Sequence, residues 1–325
     1  MFLVPIISQA SFEFDRSTNK KRVNEGYIEK NLKSSGYWNL EFKIHIDNNW
    51  SETVTIYDWC SGSGTWSDPY VIENVTVNGG NSGFPILIEN SNVYFRIKDS
   101  TVYNSGSGIS LLQYEGGITM VNVTKGAIIT NTAFDNQVGI LLYNSENNTL
   151  TGNTANNNTN SGILLWGSDN NMVSENNATF NFASTGIGLF LSNKNRVSLN
   201  TVDNSVNGIL LYYSNKNDIS ENAANNNEYQ GIYLKYSENN TLSGNIANYN
   251  NKSGIYLEDS ENNTLSGIRL YNSNNDSLSG NTANNNTFSG ISLYNSNNNT
   301  LSGNTANNNT YSGIELEQSN NNLVS

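Results

Sequence analysis

From Gly117 onward the chain sets apolar residues at fixed distances from a recurring Gly-Ile step. The steps begin at Gly117, Gly139, Gly162, Gly186, Gly208, Gly231, Gly254, Gly267, Gly290 and Gly313, with a looser one near Pro85. Positions one and three after the glycine are apolar, as in Ile140/Leu142, Ile163/Leu165, Ile232/Leu234 and Ile291/Leu293. A spacing of two is strand periodicity and puts both side chains on one face. A second apolar position follows eight residues later (Leu150, Val173, Val197, Ile219, Leu242, Leu265, Leu301). A third, mostly small, comes after it (Ala155, Ala178, Val202, Ala224, Ala247, Ala283, Ala306). Each unit of about 23 residues therefore offers three short extended segments separated by Asn, Ser and Gly, the residues that turn a chain sharply.

One such unit cannot bury its apolar side chains alone. Stacked along an axis, the units align their inward residues into a continuous column, and backbone hydrogen bonds run from coil to coil. The pattern predicts an all-β fold, a right-handed parallel β-helix of about ten coils, about 50 Å long at roughly 4.8 Å per coil. Asn at the fourteenth position (Asn131, Asn153, Asn176, Asn200, Asn222, Asn245, Asn281, Asn304) and Ser at the sixth (Ser145, Ser168, Ser192, Ser214 and onward) read as ladders whose side chains bond their copies above and below. The abundant asparagine is thus turn chemistry.

The beat falters once. Gly254-Ile255 is followed by Gly267-Ile268 after 13 residues, and the pieces 254–266 and 267–279 are imperfect copies of one another. Thirteen residues are too few to wrap the core, so a repeat slip is expected here. It should form a local bulge, with either Ile255/Leu257 or Ile268/Leu270 poorly buried. Three regions follow from the pattern: residues 1–14, an apolar stretch read as the tail of an export signal; 15–68, an N-terminal cap holding Trp38, Trp50 and Trp59; and 69–325, the β-helix. The last unit stops in mid-coil, which reads as a fragment or a truncated product.

The rhythm "GI-x-L-x-x-S-x-x-N-x-[LIV]-x-x-N", as in "GILLYNSENNTLTGN" and "GIYLKYSENNTLSGN", resembles that of the NosD-like right-handed parallel β-helix proteins. The segment "GSGTWSDPYVIENVTVNGG" (62–80) resembles the start of the helix in such proteins, many of them archaeal surface proteins. The resemblance spans about residues 62–325 and implies the fold. Its family name implies copper delivery to an exported reductase. Copper sites use His, Cys or Met, and the chain has one His (His45), one Cys (Cys60) and Met1, Met120 and Met172. His45 and Cys60 fall in the cap and read as structural, so copper is not expected.

Composition narrows the partners. A net charge of −12 argues against nucleic acid, and no stretch is long enough to span a membrane. A single cysteine allows no internal disulfide. The Asn-x-Thr sequons arise automatically from the Asn-Asn-Thr repeats and carry no weight.

On the Gly-Ile strand the second and fourth positions point outward, yet many are apolar or aromatic. Tyr143, Trp166, Phe190, Tyr212, Tyr233, Tyr256, Tyr271 and Tyr294 are the candidate binding residues. Such a stripe suits sugar rings or a protein partner, unless another segment of the chain covers it. For catalysis, the carboxylates and base nearest one another in sequence are Glu258, Asp259 and Arg269, with Asp276. Glu315 and Glu317 form a second acidic pair. No Asp recurs in adjacent coils as a calcium cage needs, so Ca²⁺ stays open only as a companion of an enzymatic site. Outward Thr and Ser pairs (Thr149/Thr151, Thr241/Ser243, Thr300/Ser302) raise a third class, a water-ordering surface, interrupted by Arg196 and Asp218. The reading favoured by the sequence is an exported or cell-surface, non-enzymatic module binding glycan or protein through the stripe. The alternative is a polysaccharide-active enzyme, a lyase, hydrolase or epimerase, centred near Glu258.

Overall fold

The computed structural model describes residues 30–31, 37–107, 114–260, 263–265, 269–271, 274–280, 282–287 and 289–325. They form a three-faced parallel β-solenoid. The long face is a sheet of twelve parallel strands, from Ile44–Asp47 to Ile314–Glu317, made from Gly117 onward by the Gly-Ile segment of each coil. The second face has thirteen strands, from Cys60–Ser61 to Leu323–Val324. The third is a five-stranded sheet ending at Thr132–Phe134. Single bridges continue it, through Thr154, Asn177, Thr201, Ala223, Ile246 and Thr282 to Thr305.

Register follows the inward columns. Ile140, Ile163, Ile187, Ile209 and Ile232 pair in sequence across the long sheet, as do Leu142, Leu165, Leu189, Leu211 and Leu234. All are fully buried, together with Leu150, Val173, Val197 and Ile219 on the second face and Ala155, Ala178, Val202 and Ala224 on the third. Each Ile or Leu so buried contributes about 1.5–3 kcal/mol. A one-residue slip would expose a whole column, which is why the register is unambiguous. In the last rung the inward Ile314 and Leu316 are exposed.

Turns are held by buried side chains in three asparagine columns and one serine column. Besides the expected Asn131–Asn153–Asn176–Asn200–Asn222 ladder, the structure has Asn148–Asn171–Asn195–Asn217–Asn240–Asn263 and Asn136–Asn158–Asn181, resuming at Asn227–Asn250. In each, Oδ1 accepts the backbone N–H of the preceding coil's residue while Nδ2 donates to a main-chain carbonyl, as Asn153 does to Ile128 at 2.9 Å. Turn amides that would otherwise be buried without partners are satisfied this way. Asp276 stands where this second ladder has asparagine in its neighbours. It is buried, accepts from the Asn263 N–H at 2.7 Å and donates its own N–H to Asn299. Asparagine here would restore the amide that its neighbours aim at a main-chain carbonyl, as Asn263 Nδ2 does at Ser237, so Asp276→Asn is expected to stabilise the fold by about 1–2 kcal/mol, read as a higher urea midpoint.

Two expectations need correction. The solenoid begins earlier than residue 69: Tyr37–Leu40 pairs with Val75–Asn78, and Ile44–Asp47 with Ile86–Glu89, both in parallel. The cap elements among these residues are the helix Trp50–Ile56 and the segment around Trp59. Trp50 stacks on Tyr70 (5.2 Å) and lies against Phe95 (4.8 Å).

The 13-residue unit also does not bulge from the long or second face. Arg269–Tyr271 pairs with Ile255–Glu258 on one side and Ile291–Tyr294 on the other, and Ser277–Ser279 joins the second sheet in the same way. Ile255 and Leu257 are buried; Ile268 and the Leu270 side chain lie outside the described residues. Among the described residues the unit has no third-face segment. There Ile246 bridges directly to Thr282, and the Asn250 N–H reaches Asn286 Oδ1 at 3.2 Å across 36 residues. Two faces therefore hold a rung that the third does not.

Candidate functional site

The outward face of the long sheet carries two columns set by the strand register. One runs Tyr143, Trp166, Phe190, Tyr212, Lys235, Glu258, Tyr271, Tyr294, Glu317. The other runs Leu141, Leu164, Gly188, Leu210, Tyr233, Tyr256, Arg269, Ser292, Glu315. Tyr143, Trp166, Phe190, Tyr212, Tyr233, Tyr256 and Tyr294 are all half-buried. The side chains of Tyr271 and Arg269 lie outside the described residues.

The stripe is less open than its letters suggest. Leu141 and Leu164 are buried on the outside of the sheet, in a small cluster with Val138 against which Tyr114 and Phe190 pack. Trp166 and Phe190 are stacked at 5.4 Å with their planes 5° apart. Their facing surfaces are spent on each other, so this part of the column acts first as a stabilising ladder.

Beyond Phe190 the geometry changes. Tyr212 meets Tyr213 edge-on (4.7 Å, 84°) and Tyr236 nearly so (6.0 Å, 69°), while Tyr213 and Tyr236 stack at 4.8 Å. Lys235 Nζ lies 5.2 Å from the Tyr236 ring centre. One coil further, Tyr233 and Tyr256 stack at 5.1 Å. Glu258 ties the two columns together, with Oε1 2.7 Å from Lys235 Nζ and Oε2 accepting from the Tyr233 hydroxyl. Burial, and then the bond to Glu258, hold the Tyr233 phenol well above the usual tyrosine range. The same carboxylate raises the Lys235 ammonium. Around neutral pH the phenol keeps its proton and the lysine its charge.

The carboxylates among the sequence candidates for catalysis occupy different settings. Glu258 faces outward, Asp259 sits in the following turn, and Asp276 is buried in the asparagine ladder. Arg269 is in register between Tyr256 and Ser292. Glu315 accepts from Ser289 Oγ at 2.7 Å, and Glu317 is exposed. On the second face the outward pairs are half-exposed at Thr149/Thr151 and Thr300/Ser302 and exposed at Thr241/Ser243, but the coils between carry buried Ser174, Ser198 and Ser220, exposed Met172 and the Arg196–Asp218 ion pair, which divide the hydroxyl array. Tyr213 and Tyr236 escaped the sequence reading, because they occupy the turn after the strand rather than its outward positions.

With this geometry in view, relatives can be weighed. The right-handed β-helix region family matches residues 33–202 and 116–267, which together span more than half of the sequence. The chain belongs to the right-handed β-helix family. The periplasmic copper-binding protein (NosD) family matches residues 263–325 of this β-helix. No curated protein matches it. Among solved structures, it is similar to a double mutant of the periplasmic alginate epimerase AlgG (TM-score 0.55, 16% identity, covering 90% of this chain and 83% of that one). It is also similar to the A-module of the mannuronan C-5 epimerase AlgE4 of Azotobacter vinelandii (TM-score 0.52, 15% identity, covering 81% and 87%). At such identities the likeness is one of fold.

A copper centre does not fit the residues present. The stretch matching the copper-binding family contains no His, Cys or Met. Elsewhere His45 Nε2 is bound to Glu89 at 2.7 Å, and Cys60 is buried with its thiol pushed up to about 12 by burial, which disfavours the thiolate a metal takes. Met120 lies in the core. No group of three or more His, Cys, Asp or Glu side chains stands ready for a metal among the described residues.

Proposed function

We propose that this β-helix is an exported, non-enzymatic module that binds a neutral polysaccharide along the outer face of its long sheet. The observation that carries the reading is the outward column of half-buried aromatics from Tyr143 to Tyr212, followed by Lys235 and by a carboxylate whose two oxygens are already engaged by Lys235 and Tyr233. Aromatic edges and tyrosine hydroxyls suit the mixed apolar and hydroxylated surface of a sugar chain. A carboxylate held between a charged lysine and a protonated phenol is poorly placed to accept a proton from substrate. Two solved structures of the same architecture are an alginate epimerase and a mannuronan epimerase, which supports a polysaccharide as the ligand class. Alginate is a polyanion, however, and a chain of net charge −12 repels one. Periplasmic relatives, and the absence of any long apolar helix among the described residues, fit export to the periplasm, cell surface or medium.

The test is binding of the purified protein to immobilised neutral and acidic polysaccharides, with product analysis of the same incubations. Neutral glycans are expected to bind with little salt dependence. Trp166→Ala together with Tyr212→Ala should weaken binding by about tenfold or more, about 1.4 kcal/mol. Unchanged binding in that variant would sink the reading. The epimerases of the same architecture support a second reading, a polysaccharide-active enzyme centred near Glu258. Product release by the wild type, abolished in Glu258→Gln, would establish that reading instead.

A further inference from the structure

The turn that follows each strand of the long sheet has the same left-handed backbone in every described coil. Its φ is 52° at Asn48, 53° at Asn90, 54° at Asn122, 47° at Asn144, 57° at Gly167 and 48° at Asn295. Asn and Gly are the residues that adopt this conformation with least strain. In the other described coils the position is Leu191 (53°), Tyr213 (50°), Tyr236 (51°), Asp259 (48°) and Gln318 (50°); Leu191, Tyr213 and Tyr236, in three successive coils, are the apolar and aromatic ones. The backbone bond at the turn is the same in both sets. Asn144 N–H reaches the Trp166 carbonyl at 2.9 Å, and Tyr213 N–H reaches that of Lys235 at 3.1 Å. The repeat thus supplies its own control: where the fold asks only for a turn, a polar residue or glycine serves.

The bulky residues are not there to fill the core. Leu191 is 50% exposed and Tyr213 46% exposed. They lie beside the one stretch of the stripe where rings stop stacking in parallel and form a corner, Tyr212 standing edge-on to the Tyr213–Tyr236 pair. Apolar and aromatic residues kept at a polar turn position in consecutive coils, exposed at Leu191 and Tyr213 and half-buried at Tyr236, beside an aromatic corner, point to a ligand. Lys235 beside Tyr236 is neutralised by Glu258, so the corner presents rings, hydroxyls and no net charge.

From this we infer that Tyr213 and Tyr236, with Leu191 and Tyr212, form the principal sugar-binding platform, taking the apolar face of an uncharged pyranose. The inference rests on the glycan reading above and assigns it to a turn column outside the strand positions. The more parallel rings of Trp166 and Phe190 support the platform from below.

The decisive variants restore the repeat's own turn residue: Leu191→Asn, Tyr213→Asn and Tyr236→Asn, singly and together. Binding of the neutral polysaccharide retained by the wild type is expected to fall at least tenfold in the two tyrosine variants and to vanish in the triple. The urea midpoint of the triple variant is expected to be unchanged or raised, because left-handed strain is relieved. A residue with a structural role would lose stability and binding together, so a marked fall in the midpoint overturns the inference. Full binding by the triple variant, with loss in Trp166→Ala/Tyr212→Ala, overturns the platform but leaves the glycan reading standing. A wild type that binds no neutral polysaccharide overturns both.

Discussion

Replacing Asn200 with alanine should destabilise the protein by about 3–5 kcal/mol, whereas the same change at Asn170 should cost about 1 kcal/mol or less. Asn200 is buried in the third-face turn. Its Oδ1 accepts both the backbone N–H of Asn176 (2.9 Å) and the Asn176 side-chain amide (3.0 Å), and its Nδ2 donates to the Val173 carbonyl at 2.9 Å. Truncation strips partners from three groups that water cannot easily reach, and each such orphan costs about 1–3 kcal/mol. Asn170 has the same letter and also lies in a turn, but it is exposed at φ 57° and contributes only its tolerance of that conformation. Urea denaturation of both variants decides the matter. Equal, small losses would mean that the buried ladder is not what holds the turns.

That contrast explains what the sequence could reveal and what it could not. The inward columns were legible because their chemistry admits few letters: Ile at the first position and Leu at the third are forced by a dry interior. Asparagine carries no such constraint. Asn170 and Asn171 are neighbours with identical letters, yet one faces solvent and the other is locked between coils. Two of the three ladders were therefore hidden in plain composition. The early rungs, Tyr37–Leu40 and Ile44–Asp47, alternate correctly but lack the Gly-Ile step, so they read as cap. The burial of Leu141 and Leu164 depends on Tyr114, which arrives from outside the periodic strands and leaves no trace in the repeat.

The candidate site was half legible for a related reason. Outward strand positions announce themselves when they turn aromatic, and Trp166, Phe190, Tyr212, Tyr233 and Tyr256 were found that way. Tyr213 and Tyr236 were passed over because turns were read as filler. The signal was available as a departure from the turn residues of other coils, where Asn144, Gly167 and Asn295 stand. A repeat is most informative where it breaks its own rule at a position whose rule is set by backbone strain.

The stutter gives the second large expected effect. Deleting residues 267–279 should leave a folded, cooperative protein with a urea midpoint equal to or above that of the intact chain. Deleting the 13 residues 186–198 from a regular coil should cost about 3 kcal/mol or more, or abolish cooperative unfolding. The first deletion removes the rung that only two faces possess. Ile255–Glu258 would then pair directly with Ile291–Tyr294, and the third face already joins Ile246 to Thr282 without an intervening rung. The second deletion creates the imbalance that the first removes. It takes residues 186–190 and Arg196–Ser198 from two faces while leaving Thr201 and Val202 as a surplus rung on the third, next to ladders that need Ser192 and Asn195. The two chains are equal in length, so loop entropy and size cancel in the comparison. An extra rung of about 4.8 Å on two faces must also tilt the axis away from them. Small-angle scattering should accordingly find the 267–279 deletion straighter than the intact chain. A deletion there that is as destructive as the one in the regular coil would show that the short unit is required by the fold and is no tolerated slip.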